Sequence, residues 1–328
     1  MMRKTGVAAV LAAGLLVLMG CSEGSPSSET ENETETSGDL VSIEVGVIPI
    51  VDVAPIYLGV EQGFFEDEGL ELTLTLAQGG AAIVPAVTSG QMAFGFSNVT
   101  SMIVGKSKGL PLQMVAPGAS TTGDVDADFA SVMTLPGSGI EEIADLAGKR
   151  VGVNTLNNIS DSTMSEAVKQ AGGDYESIEF VEMQFPDMPA QLDGGNVDAI
   201  AAVEPFVTIT EAQGAVPVFS NYAEPIKDLT VAVYFTSDQY AQENPETMEK
   251  FVRAMTASLE YADSNPDEVR AVLPTYTSLE PDVIEELTLP RYYGEINQDS
   301  LEEVMRISLD RGLIEEEPNL EELLPRSG

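Results

Sequence analysis

Any chemistry in this chain falls to carboxylates, hydroxyls and amides. Its 328 residues include no histidine and one cysteine, Cys21. A Ser-His-Asp triad, a Cys-His pair and a His-ligated metal are therefore excluded. Acid–base work by two carboxylates stays open, but it needs a pair roughly 5 to 9.5 Å apart across a cleft. Asp52 and Glu204 are the only pair whose positions suit it. The chain has no tryptophan, the residue that sugar-binding clefts usually favour. Elsewhere the polar side chains gather where a strand gives way to a helix. The junctions are Pro49-Ile50-Val51-Asp52, Gly79-Gly80-Ala81-Ala82, Ser97-Asn98-Val99-Thr100, Asn154-Thr155-Leu156-Asn157-Asn158 and Glu204-Pro205-Phe206.

The elements around these junctions can be read from periodicity. Residues 41–50 are apolar and β-branched, a strand signal. A helix over 54–63 has Pro55 in its first turn, where a missing N–H does no harm. Residues 70–76 alternate strictly, as a strand with one wet face should. Gly79-Gly80 opens a helix to 89, a strand covers 92–97, a helix 98–108 and a strand 112–116. A second unit starts near Ser138-Gly139-Ile140-Glu141, which reads as a capping box. It continues with a strand at 149–153 and a helix at 158–171, capped by Asn158 with Asp161 three residues on. Further strands are expected at 178–183, 198–203, 216–219 and 229–236. Helices then start at Asn244-Pro245-Glu246, Asn265-Pro266-Asp267, Glu280-Pro281-Asp282 and Asn297-Gln298-Asp299. The stretch from Val87 to Phe94 is echoed from Gln191 to Ala199: in each a helix ends in glycine and a strand follows. Strands alternating with helices imply an α/β fold with mostly parallel sheets. Ligands of such sheets lie at the carboxyl ends of strands, where helix N-termini also point.

The N-terminus sets the compartment. Arg3 and Lys4 precede an apolar run over 6–18, which ends in Leu18-Met19-Gly20-Cys21. This is the pattern of a secretory signal whose cysteine would carry a lipid. The competing reading, an uncleaved membrane helix, needs about 20 apolar residues. Residues 1–20 are thus expected to be a signal peptide. Residues 21–39 are expected to be a disordered acidic, Ser- and Thr-rich linker tethered to the membrane at Cys21. The net charge of -39 argues against nucleic acid as a partner, since binding needs a cationic surface. Such dispersed acidity favours solubility and suits a salty habitat, where self-repulsion is screened.

The run from Ala54 to Leu70, Ala-Pro-Ile-Tyr-Leu-Gly-Val-Glu-Gln-Gly-Phe-Phe-Glu-Asp-Glu-Gly-Leu, strongly resembles the opening motif of one extracytoplasmic family. These are the SsuA/THI5-like solute-binding lipoproteins, serving nitrate, sulfonate, taurine and thiamine-pyrimidine ABC importers. Gly79-Gly80-Ala81-Ala82, Ser89-Gly90-Gln91, Asp145 to Val153, Asp198-Ala199, Glu204-Pro205-Phe206 and Asn244-Pro245-Glu246 match in the expected order. Where the family's first motif continues to an Asp after Gly-Gln, this chain has Ala93. The resemblance implies a type II periplasmic-binding-protein fold: two α/β lobes with mostly parallel sheets joined by a two-strand hinge. Lobe one would span 40–135 and lobe two 136–227. Residues 228–328 would return to lobe one, and the crossovers near 129–135 and 228–235 would act as the hinge. It also implies a monomer that holds a small solute between the lobes, uses no cofactor and delivers to permease and ATPase subunits. A fungal pyrimidine synthase of the same superfamily depends on a His and a Cys cluster, which this chain lacks.

On that fold the candidate ligand-binding residues are Asp52, Tyr57, Gly80, Ala81, Ser97, Asn98, Asn154, Asn157, Asn158, Glu204, Phe206 and Tyr234. Asp52 either accepts hydrogen bonds from an amine or caps the following helix. Gly80 and Ala81 either offer free backbone N–H groups to an anion or simply form a turn. Glu204 is either a cleft ligand, with Phe206 packing nearby, or an acceptor that braces the lobes. Tyr57 and Tyr234 either stack on a planar solute or belong to the core. No Arg or Lys falls at a junction, so a strongly bound dianion is disfavoured. The competing functions are a surface hydrolase using Asp52 and Glu204, and a non-transport sensor on the same fold.

Overall fold

The computed structural model describes residues 40–324; the expected signal peptide, Cys21 and the linker lie outside them. Ten strands form two five-stranded sheets among the described residues. The first has the order β2 (Leu70–Leu76), β1 (Val41–Val47), β3 (Phe94–Asn98), β10 (Thr230–Ser237), β4 (Leu112–Ser120). The second has the order β7 (Glu179–Glu182), β6 (Arg150–Val153), β8 (Ala199–Val203), β5 (Ala130–Thr134), β9 (Val216–Phe219). The plan is the same twice. In the first sheet β1 lies between β2 and β3, in the second β6 lies between β7 and β8, and in each one strand runs against the other four. That strand, β10 or β5, is the one arriving from the other lobe. Each sheet is therefore mostly parallel with one antiparallel member.

Residues 129–135 and 228–235, expected to hinge, lie largely within strands β5 and β10. The chain crosses between sheets over 121–129 and 220–229 instead. These crossings bond to each other: Thr121 N donates to Leu229 O at 3.0 Å. Asp128 accepts from Thr122 N at 2.9 Å and from Ser220 Oγ at 2.7 Å. The capping box expected at Ser138 lies four residues later, where Glu142 and Asp145 bond each other's backbone. Ser138 instead takes hydrogen bonds from Thr134 Oγ1 and Ile140 N, so its hydroxyl closes a turn.

The helices are α1 (Ala54–Glu61), α2 (Phe64–Asp67), α3 (Gly80–Thr88), α4 (Val99–Ser107), α5 (Ile159–Gln170), α6 (Met188–Asp193), α7 (Phe206–Ala212), α8 (Asp238–Glu243), α9 (Pro245–Ser264), α10 (Pro266–Val272), α11 (Pro281–Glu286), α12 (Gln298–Asp310) and α13 (Leu320–Leu323). The sequence echo has a structural meaning: α3 leads into β3 and α6 into β8, the equivalent third strands. The C-terminal helices return to the first sheet. On α9, Phe251 stacks on Phe94 with centroids 3.9 Å apart and packs against Phe65 and Tyr234. Strand β8 is buried along its whole length, as expected of a strand covered on both faces.

Candidate ligand-binding cleft

Each lobe contributes its strand ends to one cleft. From the first lobe come Ile48, Ile50 and Asp52 beyond β1, Gly80 at the start of α3, Phe96 and Asn98 of β3, and Val231 and Ala232 of β10. From the second come Asn154 to Thr155 and Asn158 to Ser160 around the start of α5, with Phe185, Val203 and Tyr222. The free space is about 40 Å³, room for about three waters.

The local sequence explains the close approach. A Cβ at Gly80 would fall 2.5 Å from Ser97 Oγ and 2.8 Å from Ser97 Cα, so only glycine lets α3 start against β3. Asn98 caps α4 by accepting from Ser101 N at 2.9 Å. Asn158 caps α5, accepting from Ile159 N at 2.8 Å. Its Nδ2 donates across the lobes to Ser101 Oγ at 3.0 Å. Asp161 completes this cap by accepting from Asn157 N and Asn158 N, both at 2.7 Å. The loop that carries Asp52 is held from behind. Tyr276 donates to Ile50 O at 3.1 Å and Tyr292 to Val51 O at 2.8 Å.

Asp52 is 2% exposed, and its Oδ2 is buried with no hydrogen-bond partner among the described residues. It does not cap the helix that follows. Burial pushes its carboxyl up to about 7; its own backbone N–H works the other way, and the charge of Asp128 adds to the rise. No Lys or Arg lines the cleft. Tyr222 OH and Ser160 Oγ, one from each side of the second lobe, lie 3.0 Å apart on its wall.

Five sequence candidates thus line one space: Asp52, Gly80, Asn98, Asn154 and Asn158. Ala81 faces an adjoining groove shared with Asn154, Gln78 and Gln184. Ser97 is buried behind Gly80, with its hydroxyl unpartnered. Phe206 borders a small neighbouring cavity and lies parallel to Phe185 at 6.1 Å. Four candidates lie elsewhere. Asn157 is exposed, because its backbone N–H serves the α5 cap at φ 54°. Tyr57 stacks on Tyr276 at 4.0 Å, and partial burial pushes its phenol up to about 12. Tyr234 is fully buried beneath Phe96, ring edge to face at 5.3 Å. Glu204 lies in a separate groove of about 480 Å³.

The environment of Glu204 gives it the bracing role. Its oxygens accept from Thr208 N at 3.0 Å, Thr208 Oγ1 at 2.9 Å and Thr288 N at 3.1 Å. The last donor belongs to the C-terminal segment, so the carboxylate ties α7 to the returning chain. Burial pushes this carboxyl up to about 7 against those three hydrogen bonds. Asp52 and Glu204 therefore occupy different cavities, and the carboxylate pair a hydrolase would need does not face one space. Sequence reading missed Phe96, Phe185 and Tyr222. Phe96 lies in the expected third strand, where alternation marks it as inward-facing. Phe185 and Tyr222 come from irregular segments without a periodic signal.

The family model for NMT1/THI5-like proteins matches residues 50–269. The chain is 24% identical over 264 residues to the formylaminopyrimidine-binding protein of Halalkalibacterium halodurans, covering 80% of this chain and 76% of that one. It is 23% identical over 252 residues to the 4-amino-5-hydroxymethyl-2-methylpyrimidine phosphate synthase THI5 of Saccharomyces cerevisiae, covering 73% and 70%. Among solved structures, the periplasmic aliphatic sulphonate-binding protein SsuA of Escherichia coli superposes with a TM-score of 0.72 at 16% identity, covering 88% of this chain and 92% of that one. No helix among the described residues is long and apolar enough to cross a membrane.

Proposed function

This chain belongs to the NMT1/THI5-like family, and we propose that it is the solute-binding component of an ABC importer. It works outside the cytoplasmic membrane, anchored by a lipid on Cys21, and takes up a small organic solute as a monomer. The observation that carries this reading is the cleft itself: strand ends of two lobes with one topology meet around a small space lined by both polar and apolar groups. The Asn158–Ser101 bond bridges the lobes beside it. Opening would bend the crossings at 121–129 and 220–229, and closure would present the solute to a permease and its ATPase. Catalysis is not proposed, although one relative is a synthase. The chain has no histidine for acid–base work, and its buried acids are apart.

The test is thermal unfolding of the purified protein in high salt against sulfonates, nitrate, aromatic carboxylates and aminopyrimidines. A solute at 100 times its Kd should add about 2.7 kcal/mol. A shift by one chemical class supports a receptor; no shift by any class argues against it. Lipidation is tested separately by labelled-palmitate incorporation in cells, which Cys21→Ser should abolish.

A further inference from the structure

Resting on the receptor reading, we infer that the cleft is built for a solute bearing a positively charged N–H donor, an ammonium or amidinium, and that Asp52 is its counter-charge. Asp52 lines the cleft, nearly fully buried, with its Oδ2 unpartnered among the described residues. A lone buried carboxylate is costly unless something pairs with it. The titratable groups whose charges act with Asp52 are Asp128, Tyr222, Tyr234, Tyr276 and Tyr292, and none is a cation. The missing partner is therefore supplied from outside.

The groups that would favour an anion are partly taken: at the starts of α4 and α5, Asn98 accepts from Ser101 N and Asn158 from Ile159 N. The start of α3 at Gly80 carries no side-chain cap, so its N–H groups still compete for an anion. No guanidinium or ammonium lines the walls. Phe96, Phe185 and Tyr222 supply aromatic walls, which tolerate a cation far better than aliphatic ones. The one formal charge lining the cleft is thus the carboxylate of Asp52, with no side-chain cation opposite it. Because protonation of Asp52 competes with the solute, binding should strengthen from pH 5 to pH 8.

The experiment is calorimetric titration of the wild-type protein and Asp52→Asn at pH 5 and 8. The probes are methylguanidinium and benzamidinium against acetate, methanesulfonate and benzoate, at matched ionic strength. The expected result is that a cation binds wild type at pH 8 and binds at least tenfold more weakly at pH 5. Asp52→Asn should lose binding at least tenfold at pH 8 while still melting cooperatively. Binding of an anion, retained in Asp52→Asn, overturns the inference and leaves the receptor reading standing. Binding of no probe here, together with no shift in the wider solute panel, defeats the receptor reading and this inference with it.

Discussion

Asp52 and Glu204 are the same kind of residue in the same kind of place. Each follows a central strand, each opens a strand-to-helix junction, and they are 2% and 1% exposed. Burial pushes both carboxyls up to about 7. The residue before Asp52 even touches Glu204, Val51 N donating to Glu204 O at 3.2 Å. Yet Glu204 has three donors, one of them from Thr288, and Asp52 has an orphaned oxygen. Partners, rather than position or burial, separate these two acids. An acid with all its donors satisfied holds the fold together, whereas one without them is a cost that only a bound group offsets.

The comparison is broken most readily at Glu204. Glu204→Ala strands two backbone N–H groups and a hydroxyl in a buried site, so it should cost about 3 kcal/mol. At roughly 2–4 °C per kcal/mol, the melting temperature should fall clearly; an unchanged Tm would mean that Glu204 braces nothing. Asp52→Asn should do the opposite. Burial pushes its carboxyl in the folded state up to about 7, from an ordinary 3.8 in the unfolded chain. Between those values the folded state holds more protons than the unfolded, so this residue makes stability fall as pH rises through the window and stay low above it. Removing the charge should therefore stabilise by up to about 4 kcal/mol at pH 8 and by nearly nothing at pH 4. Equal effects at both pH values would contradict an unpaired carboxylate.

A third change separates partnership from location. Asn158 lines the same cleft as Asp52 but is fully bonded, so Asn158→Ala should destabilise by about 1 kcal/mol in urea unfolding. If it were neutral, lining the cleft would matter more than bonding. The smallest effect is expected at the ion pairs joining α12 to α5, where Arg306 reaches Glu166 at 3.2 Å with 42% of its side chain exposed. Arg306→Ala should cost under about 1 kcal/mol and nothing measurable in 1 M salt. A large effect there would shift the hold between lobes from buried amides to surface charge.

Much of the fold was legible in the chain because its signals are local. The alternation at 70–76, the Asn158–Asp161 cap and the Asn-Pro helix starts each involve residues within a few positions of one another, and all appear where expected. The two crossings were misplaced because β5 and β10 are apolar runs that look alike whichever sheet receives them. Tyr57 and Tyr234 gave no sign that their rings would be covered by Tyr276 and Phe96, which stand 219 and 138 residues away.

The sequence by itself therefore determined the chemistry available, the α/β alternation and the junctions where polar groups collect. Hydrogen-bonding capacity and local periodicity are properties of neighbouring residues. Tertiary structure alone decided which buried acid is spent and which is free. Glu204 meets a donor 84 residues further along the chain, at Thr288, whereas Oδ2 of Asp52 meets none among the described residues. A partner at that separation leaves no periodic trace, because only the packing of distant segments brings the two groups together.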